Sequence, residues 1–124
     1  MEFRHPDWWR GEQRSITEEL LRSCGFAAVA VDMEPSLPSA IPPVTPVTCE
    51  RLAVVRFHGR SHAWGTGSKE DRFRHEYTDD ELREWLPRVH ALAERVERVH
   101  VLFNNCCADA AVRAAARMRE LLAG

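Results

Sequence analysis

RLAVVRFHGR, residues 51–60, runs apolar from Leu52 to Val55 and closes on Arg56, Phe57 and His58. A short apolar run bounded by polar residues reads as a strand buried on both faces, the kind that parallel sheets use. Two other stretches share this make-up: FAAVAVD (26–32), which closes on an acid, and VHVLFNN (99–105), which closes on two asparagines. A fourth, shorter extended piece, Glu2-Phe3-Arg4, ends at His5-Pro6, where proline disfavours helix in the residue before it.

Helical patterns fill the gaps. The first is expected over about 15–23, with Ser15 as cap, Glu18 completing a capping box and Gly25 as the stop. The longest spans about 79–97, capped by Thr78 with Glu81 three residues on. Its residues Leu82, Trp85, Leu86, Val89, Leu92, Ala93 and Val96 fall on one apolar face, and Pro87 inside it marks a kink or a tolerated break. A last helix is expected over about 109–123. Between positions 33 and 46 lie five of the seven prolines, which excludes helix and central strand and leaves a surface loop. Residues 61–77 read as a long polar loop. Strands that are nearly all apolar, alternating with helices, give an α/β fold with a parallel sheet in one domain over residues 1–124.

Composition narrows the function classes. The net charge of −2 and pI near 6.3 give no basic field over the whole chain, so nucleic acid is a weakly supported partner. Sixteen arginines stand against one lysine, Lys69, which fits high-GC codon usage, although single arginines still suit carboxylate or phosphate. The longest apolar stretch, Phe26 to Val31, is far short of a membrane span, and the charged opening lacks the apolar core of a signal peptide. A cytoplasmic protein without membrane contact is expected. Cys24, Cys49, Cys106 and Cys107 form no C-x-x-C pair and read as reduced thiols, with Cys24 a small buried hydrophobe in a helix tail.

Several segments resemble, in order, the domain-of-unknown-function 72 (YecE-like) family: EFRHPDWW at the start, AVAVD, VVRFHGR, RFRHEYTDDELREW and VLFNNCCADAAVRAAARMRELL. The resemblance implies a TIM-barrel-like (β/α)8 fold of unassigned biochemical role, of which this chain is the C-terminal half, roughly the last four strand–helix units. Phe73 and His75 stand where the family often has tyrosines, and Cys107 where an aromatic is common, which implies a thinner aromatic wall. A half barrel leaves an uncovered sheet edge and an inner face without its opposite wall. A start upstream of Met1, a decayed fragment, or pairing of two copies through the open edge would each account for it.

Polar strand ends in such folds are where sites sit. Alternation along each strand groups Val54, Arg56 and His58; Ala28, Ala30 and Asp32; His100, Leu102 and Asn104; and Glu2 with Arg4. One self-consistent assignment points Glu2, Arg4, Asp32, Arg56, His58 and Asn104 to the barrel axis, with the small alanines in a crowded interior. In the functional reading His58, Asp32 or Glu2 serves as general acid or base, Arg4 and Arg56 hold an anionic group, and Asn104 orients the substrate. The same residues also fit a buried network in which Glu2 and Asp32 neutralise the arginines. His5 and Asn105 extend the substrate-binding set. Trp8, Trp9, Trp64 and Tyr77 lie in or beside the loops after strands; Trp8, Trp64 and Tyr77 are candidate stacking residues, Trp9 could equally pack on the following helix, and Trp85 belongs to a helix core. Gly65 and Gly67 suggest a flexible lid or a phosphate cradle. His5, Asp32, His58 and Glu2 could ligate a divalent metal, but without H-x-H or H-E-x-x-H spacing no metal is expected, and no cofactor is indicated. The expected function is an enzyme, or part of one, acting on an anionic or phosphate-bearing polar substrate at the strand ends. The alternative is a non-catalytic domain that binds a ligand or partner, or is inactive alone.

Overall fold

Apolar runs as short as these bury both faces only when helices or loops cover them. The computed structural model, which describes residues 1–64 and 66–124, covers one face with helices. Strands β1 (Val29–Met33), β2 (Leu52–Gly59) and β3 (Arg98–Phe103) form one sheet in the order β1-β2-β3, with both pairs parallel. The extended piece at residues 1–4 runs beside β1: the Val29 amide donates to the Met1 carbonyl at 3.0 Å. It makes no ladder of its own. Residues 26–28 also stay outside β1, because the Thr48 hydroxyl takes the Ala28 amide (2.9 Å) and donates to the Phe26 carbonyl (2.7 Å).

Register sets the two faces of the sheet. Ala30 pairs with Val55, Asp32 with Phe57, Val55 with Val101 and Phe57 with Phe103, so these side chains share a face. That face packs on helices α3 (Asp79–Ala93) and α4 (Ala110–Ala123) through Leu82, Trp85, Val89, Leu92 and Met118. Trp85 is fully buried and stands edge-on to Phe57, whose ring stacks on Phe103. Ala30 is part of this helix-covered core and does not line a barrel interior, contrary to the expectation from alternation alone. The opposite face carries Val31, Arg56 and His58, and on β3 it exposes Arg98, His100 and Leu102. A second cluster gathers Trp9, Leu21, Val31, Met33 and Ile41 around β1.

The first helix, α1, spans Gly11–Cys24 and so starts four residues ahead of Ser15. A 3-10 turn at Pro6–Trp9 delivers the chain to Arg10, and the helix begins there without a side-chain cap. Ser15 is then mid-helix, and Glu18 serves Arg14 and Arg22 one turn to either side. Gly25 ends α1 in the left-handed region at φ 71°, with the Phe26 amide returning to the Leu21 carbonyl as expected of a glycine stop. Cys24, the last residue of α1, is exposed rather than a buried hydrophobe.

Helix α3 has the cap read from sequence: the Thr78 hydroxyl accepts from the Glu81 amide and the Glu81 carboxylate accepts from the Thr78 amide. It continues through Pro87, which sits on the exposed side where water can take the carbonyl that proline frees. The loop at 34–51 has no helix and crosses from β1 to β2 as irregular chain. The polar segment after β2 does contain one, α2 (Lys69–Phe73), started by a capping box between Ser68 and Asp71. The lid or cradle reading of Gly65-x-Gly67 falls on Gly65, outside the described residues.

Candidate functional site

On the face away from the helices, the ends of the strands bring Glu2, Arg4, Arg56, His58 and Asn104 together. Glu2 is the hub. Its Oε1 accepts from Arg56 Nη1 at 3.0 Å and lies 3.3 Å from His58 Nε2, while Oε2 accepts from Arg4 Nη1 at 3.1 Å. Burial works against ionisation of Glu2, but the hydrogen bond and charge of His58 and the charges of Arg56 and Arg4 outweigh it and hold the carboxyl at about 2. His58 is 2% exposed. Trp64 and Phe73 stand edge-on to its ring at 5.8 and 6.0 Å. In the amide orientation that satisfies its neighbours, Asn104 gives its oxygen to Arg56 Nη2 (3.2 Å) and its nitrogen to the Phe57 carbonyl (2.9 Å). Both amide atoms then lie 2.9–3.0 Å from His58 Nδ1, so Asn104 can serve either a protonated or an unprotonated nitrogen.

A pocket of about 200 Å³ opens beside this cluster. Its lining mixes polar side chains (Glu2, Arg4, His58 and Arg72) with apolar ones (Phe3, Val31, Met33 and Ile41). Trp64 closes one side, with the Arg4 guanidinium 6.0 Å from its ring centre. Arg4 and Arg56 both pair with the Glu2 carboxylate, whereas Arg72 lines the pocket with no salt-bridge partner among the described residues. Two buried donors, Arg72 Nε and Trp64 Nε1, lack a hydrogen-bond partner among the described residues. Unpaired buried donors are costly, and a bound anion is one way to satisfy them.

The other candidates lie elsewhere. Asp32 does not face the axis with Arg56 and His58; its register partner is Phe57, and it points to the helix side. There it accepts from Trp85 Nε1 (2.7 Å), Tyr77 Oη (2.7 Å), Arg60 Nη2 (2.8 Å) and Arg60 Nε (3.1 Å), which fills the four sites of a carboxylate. Burial opposes the Arg60 charge, but its bonds to Asp32 and Glu84 raise the pKa regardless. Tyr77 belongs to the same network, accepting from the Gly59 amide at 2.8 Å, and burial with the adjacent Asp32 pushes its phenol up. Asn105 ties the end of β3 to the segment after α2 by donating to the His75 carbonyl at 2.7 Å. His5 is largely exposed and accepts from the Asp7 amide as the cap of the 3-10 turn. Trp8 stacks on Phe3 at 4.5 Å and is itself half exposed, so it backs a pocket residue without lining the pocket.

Among the described residues no group of three His, Cys, Asp or Glu side chains is placed to hold a metal; His5, Asp32, His58 and Glu2 do not converge. Arg72 is the pocket residue that strand-end reasoning misses, while Phe73, beside His58, is reached only through the family resemblance. Their signal lies in RFRHEY, which looks like loop until the S-K-E-D capping box ahead of it is read as a helix start.

The same arrangement of strands and helices recurs in known proteins. A family model described as "Protein of unknown function DUF72" matches residues 1–124. The chain belongs to the DUF72 family. It is 30% identical to the UPF0759 protein YunF of Bacillus subtilis (strain 168), over 98% of this chain and 45% of that protein. It superposes on a DUF72 family protein of Thermotoga maritima MSB8 (TM1631) with a TM-score of 0.87 at 35% identity, covering 98% of this chain and 45% of that one. A DUF72 family protein of Enterococcus faecalis V583 (EF0366) gives a TM-score of 0.87 at 26% identity, covering 99% and 47%. DUF72 structures are TIM-barrel-like, and this chain spans about half the length of the relatives it matches. No specific activity attaches to the family. Among the described residues no helix is long and apolar enough to cross a membrane.

Proposed function

We propose that this DUF72 chain binds a compact organic anion, such as a phosphate monoester or carboxylate, at the ends of its strands, with His58 as the proton-transfer group. The observation that carries the reading is Arg72, which lines the pocket with a buried, unpartnered Nε and without a salt-bridge partner among the described residues. An oxyanion there would be shared with Arg4, and the apolar side chains of Phe3, Val31 and Ile41 would take the rest of the molecule. Glu2, held ionised, is an orienter and counter-ion for His58 rather than an acid at neutral pH. An incoming anion that competes for Arg4 and Arg56 would loosen Glu2 and free Nε2 of His58. Asn104, able to serve Nδ1 in either protonation state, suits a histidine that gives up and regains a proton. The four free cysteines fit a reducing compartment, and we place the protein in the cytoplasm.

Calorimetric titration with phenyl phosphate, glycerol phosphate and benzoate tests the reading. One of these should bind, and Arg72→Gln should weaken it at least about tenfold, the loss expected for one charge-assisted hydrogen bond. Lys69→Gln, on the same helix but outside the pocket, should bind as the parent does. Equal binding by Arg72→Gln, or no binding at all, refutes the site. A second reading, a non-catalytic module that pairs with another copy, draws on Leu102, 47% exposed on the uncovered sheet face. Light scattering separates the two, since only pairing gives a dimer mass.

A further inference from the structure

Beyond the pocket, the turn that leaves β3 carries adjacent cysteines in an unusual conformation. Cys106 is fixed on one side: its amide donates to the Phe73 carbonyl at 2.6 Å, and its Sγ donates to the Glu70 carbonyl at 3.1 Å. It also forms an isolated parallel bridge with Arg74. Cys107 has φ 101° and Ala108 φ 49°, both in the left-handed region that residues with a Cβ avoid. In extended chain, adjacent side chains point to opposite sides. The reversal at Cys107 breaks that alternation between two residues adjacent in the chain. Both residues are partly open to solvent.

We propose that Cys106 and Cys107 form a redox modification site, a vicinal dithiol that a low-molecular-weight disulfide converts reversibly into a disulfide between the two adjacent residues. One cysteine thiolate attacks a sulfur of the small disulfide, forms a mixed disulfide and expels one small thiolate. The second cysteine, after losing its proton to solvent, attacks the protein sulfur of that mixed disulfide, closes the ring and expels the second small thiolate. The two protein thiols lose two electrons and two protons, and the small disulfide becomes two small thiols. Adjacent Cα atoms stand about 3.8 Å apart, closer than the roughly 4.4–6.8 Å usual for disulfides. The closed ring is therefore strained and easily reduced, which suits a switch rather than a structural staple.

Ring closure consumes the S–H that Cys106 donates to the Glu70 carbonyl. Glu70 lies in the first turn of α2, and α2 carries Arg72 and Phe73. Oxidation at the end of β3 is thereby felt in the helix that walls the pocket, whatever that pocket binds.

Cleavage after Arg98 and Arg113 places both cysteines, and no other, in the single peptide 99–113. The folded chain is treated with oxidised glutathione, the remaining thiols are alkylated, and this peptide is weighed. A loss of about 2 Da with no alkyl group, reversed by dithiothreitol and at least about tenfold slower in 6 M guanidinium chloride, is expected. Cys106→Ser and Cys107→Ser should each abolish that loss, and hydrogen exchange over residues 70–75 should rise in the oxidised parent. Two alkylated thiols, two glutathione adducts on the one peptide, or ring closure just as fast in denaturant would each overturn the proposal.

Discussion

Replacing Asp32 by alanine should come close to unfolding the protein. The carboxylate takes four hydrogen bonds from three side chains, and its removal strands the Trp85 indole N–H in a fully buried position. Tyr77 loses its acceptor but keeps the Gly59 amide, and Arg60 keeps Glu84. Orphaning a buried donor costs about 1–3 kcal/mol, and removing one partner of a buried ion pair about 3–5 kcal/mol. These overlap at Arg60 and Trp85, so about 4 kcal/mol is expected, a large part of the roughly 5–15 kcal/mol that holds a domain together. Urea denaturation followed by far-ultraviolet circular dichroism measures it, with the slope against urea unchanged if only stability moves. A double-mutant cycle with Trp85→Phe isolates the indole bond: once its N–H is gone, losing Asp32 should cost about 1–2 kcal/mol less. If Asp32→Ala costs under about 1 kcal/mol, or the cycle shows no coupling, Asp32 is not the anchor of this end of the sheet and its placement with the helix side is wrong.

Glu2 makes stability depend on acid. Its folded pKa of about 2 lies below the ordinary 4.5, so its contribution is fully present above about pH 4.5 and is lost as pH falls towards 2; it amounts to at most about 3 kcal/mol. Acid titration of Glu2→Gln should show that part of the slope missing, and an unchanged slope would mean that Glu2 does not pair with His58 and the arginines. The two capping boxes read from sequence should behave oppositely: Thr78→Ala should lower the denaturation midpoint by the equivalent of about 1 kcal/mol, whereas Ser15→Ala, inside α1, should stay within about 0.5 kcal/mol of the parent.

Much of the architecture is local and therefore legible. An apolar run closing on polar residues needs only neighbours along the chain to be recognised, and β2 and the core of β3 lie where the pattern puts them. The α3 cap and the stop of α1 at Gly25 are chemistry within a few residues, and both hold. The false start at Ser15 shows the limit of that logic. S-x-x-E is a helix start only where the preceding chain is not already helical, and a turn at Pro6–Trp9 makes it so. The missed α2 is the converse, a true capping box inside polar sequence.

Within the site, alternation joined Arg56 to His58 correctly because both lie on one strand, and Asn104 and Glu2 do meet them. It could not phase one strand against the next. Whether Asp32 lies level with Phe57 or with its neighbours is decided by inter-strand hydrogen bonds, and a slip of one residue reverses the face of every side chain. Arg72 likewise enters the pocket only because α2 folds back against β2, a contact between residues more than ten positions apart.

From the sequence alone follow the class of fold, the family that its motifs resemble and the end of the sheet where polar residues gather, since each depends on residue type and short-range spacing. Tertiary structure alone decided which of those polar residues share a pocket. Asp32, Tyr77 and Arg60 became a buried anchor on the helix side, while Glu2, His58, Arg4 and Arg72 came to line a pocket on the other, because register and packing set direction and no single strand carries that information.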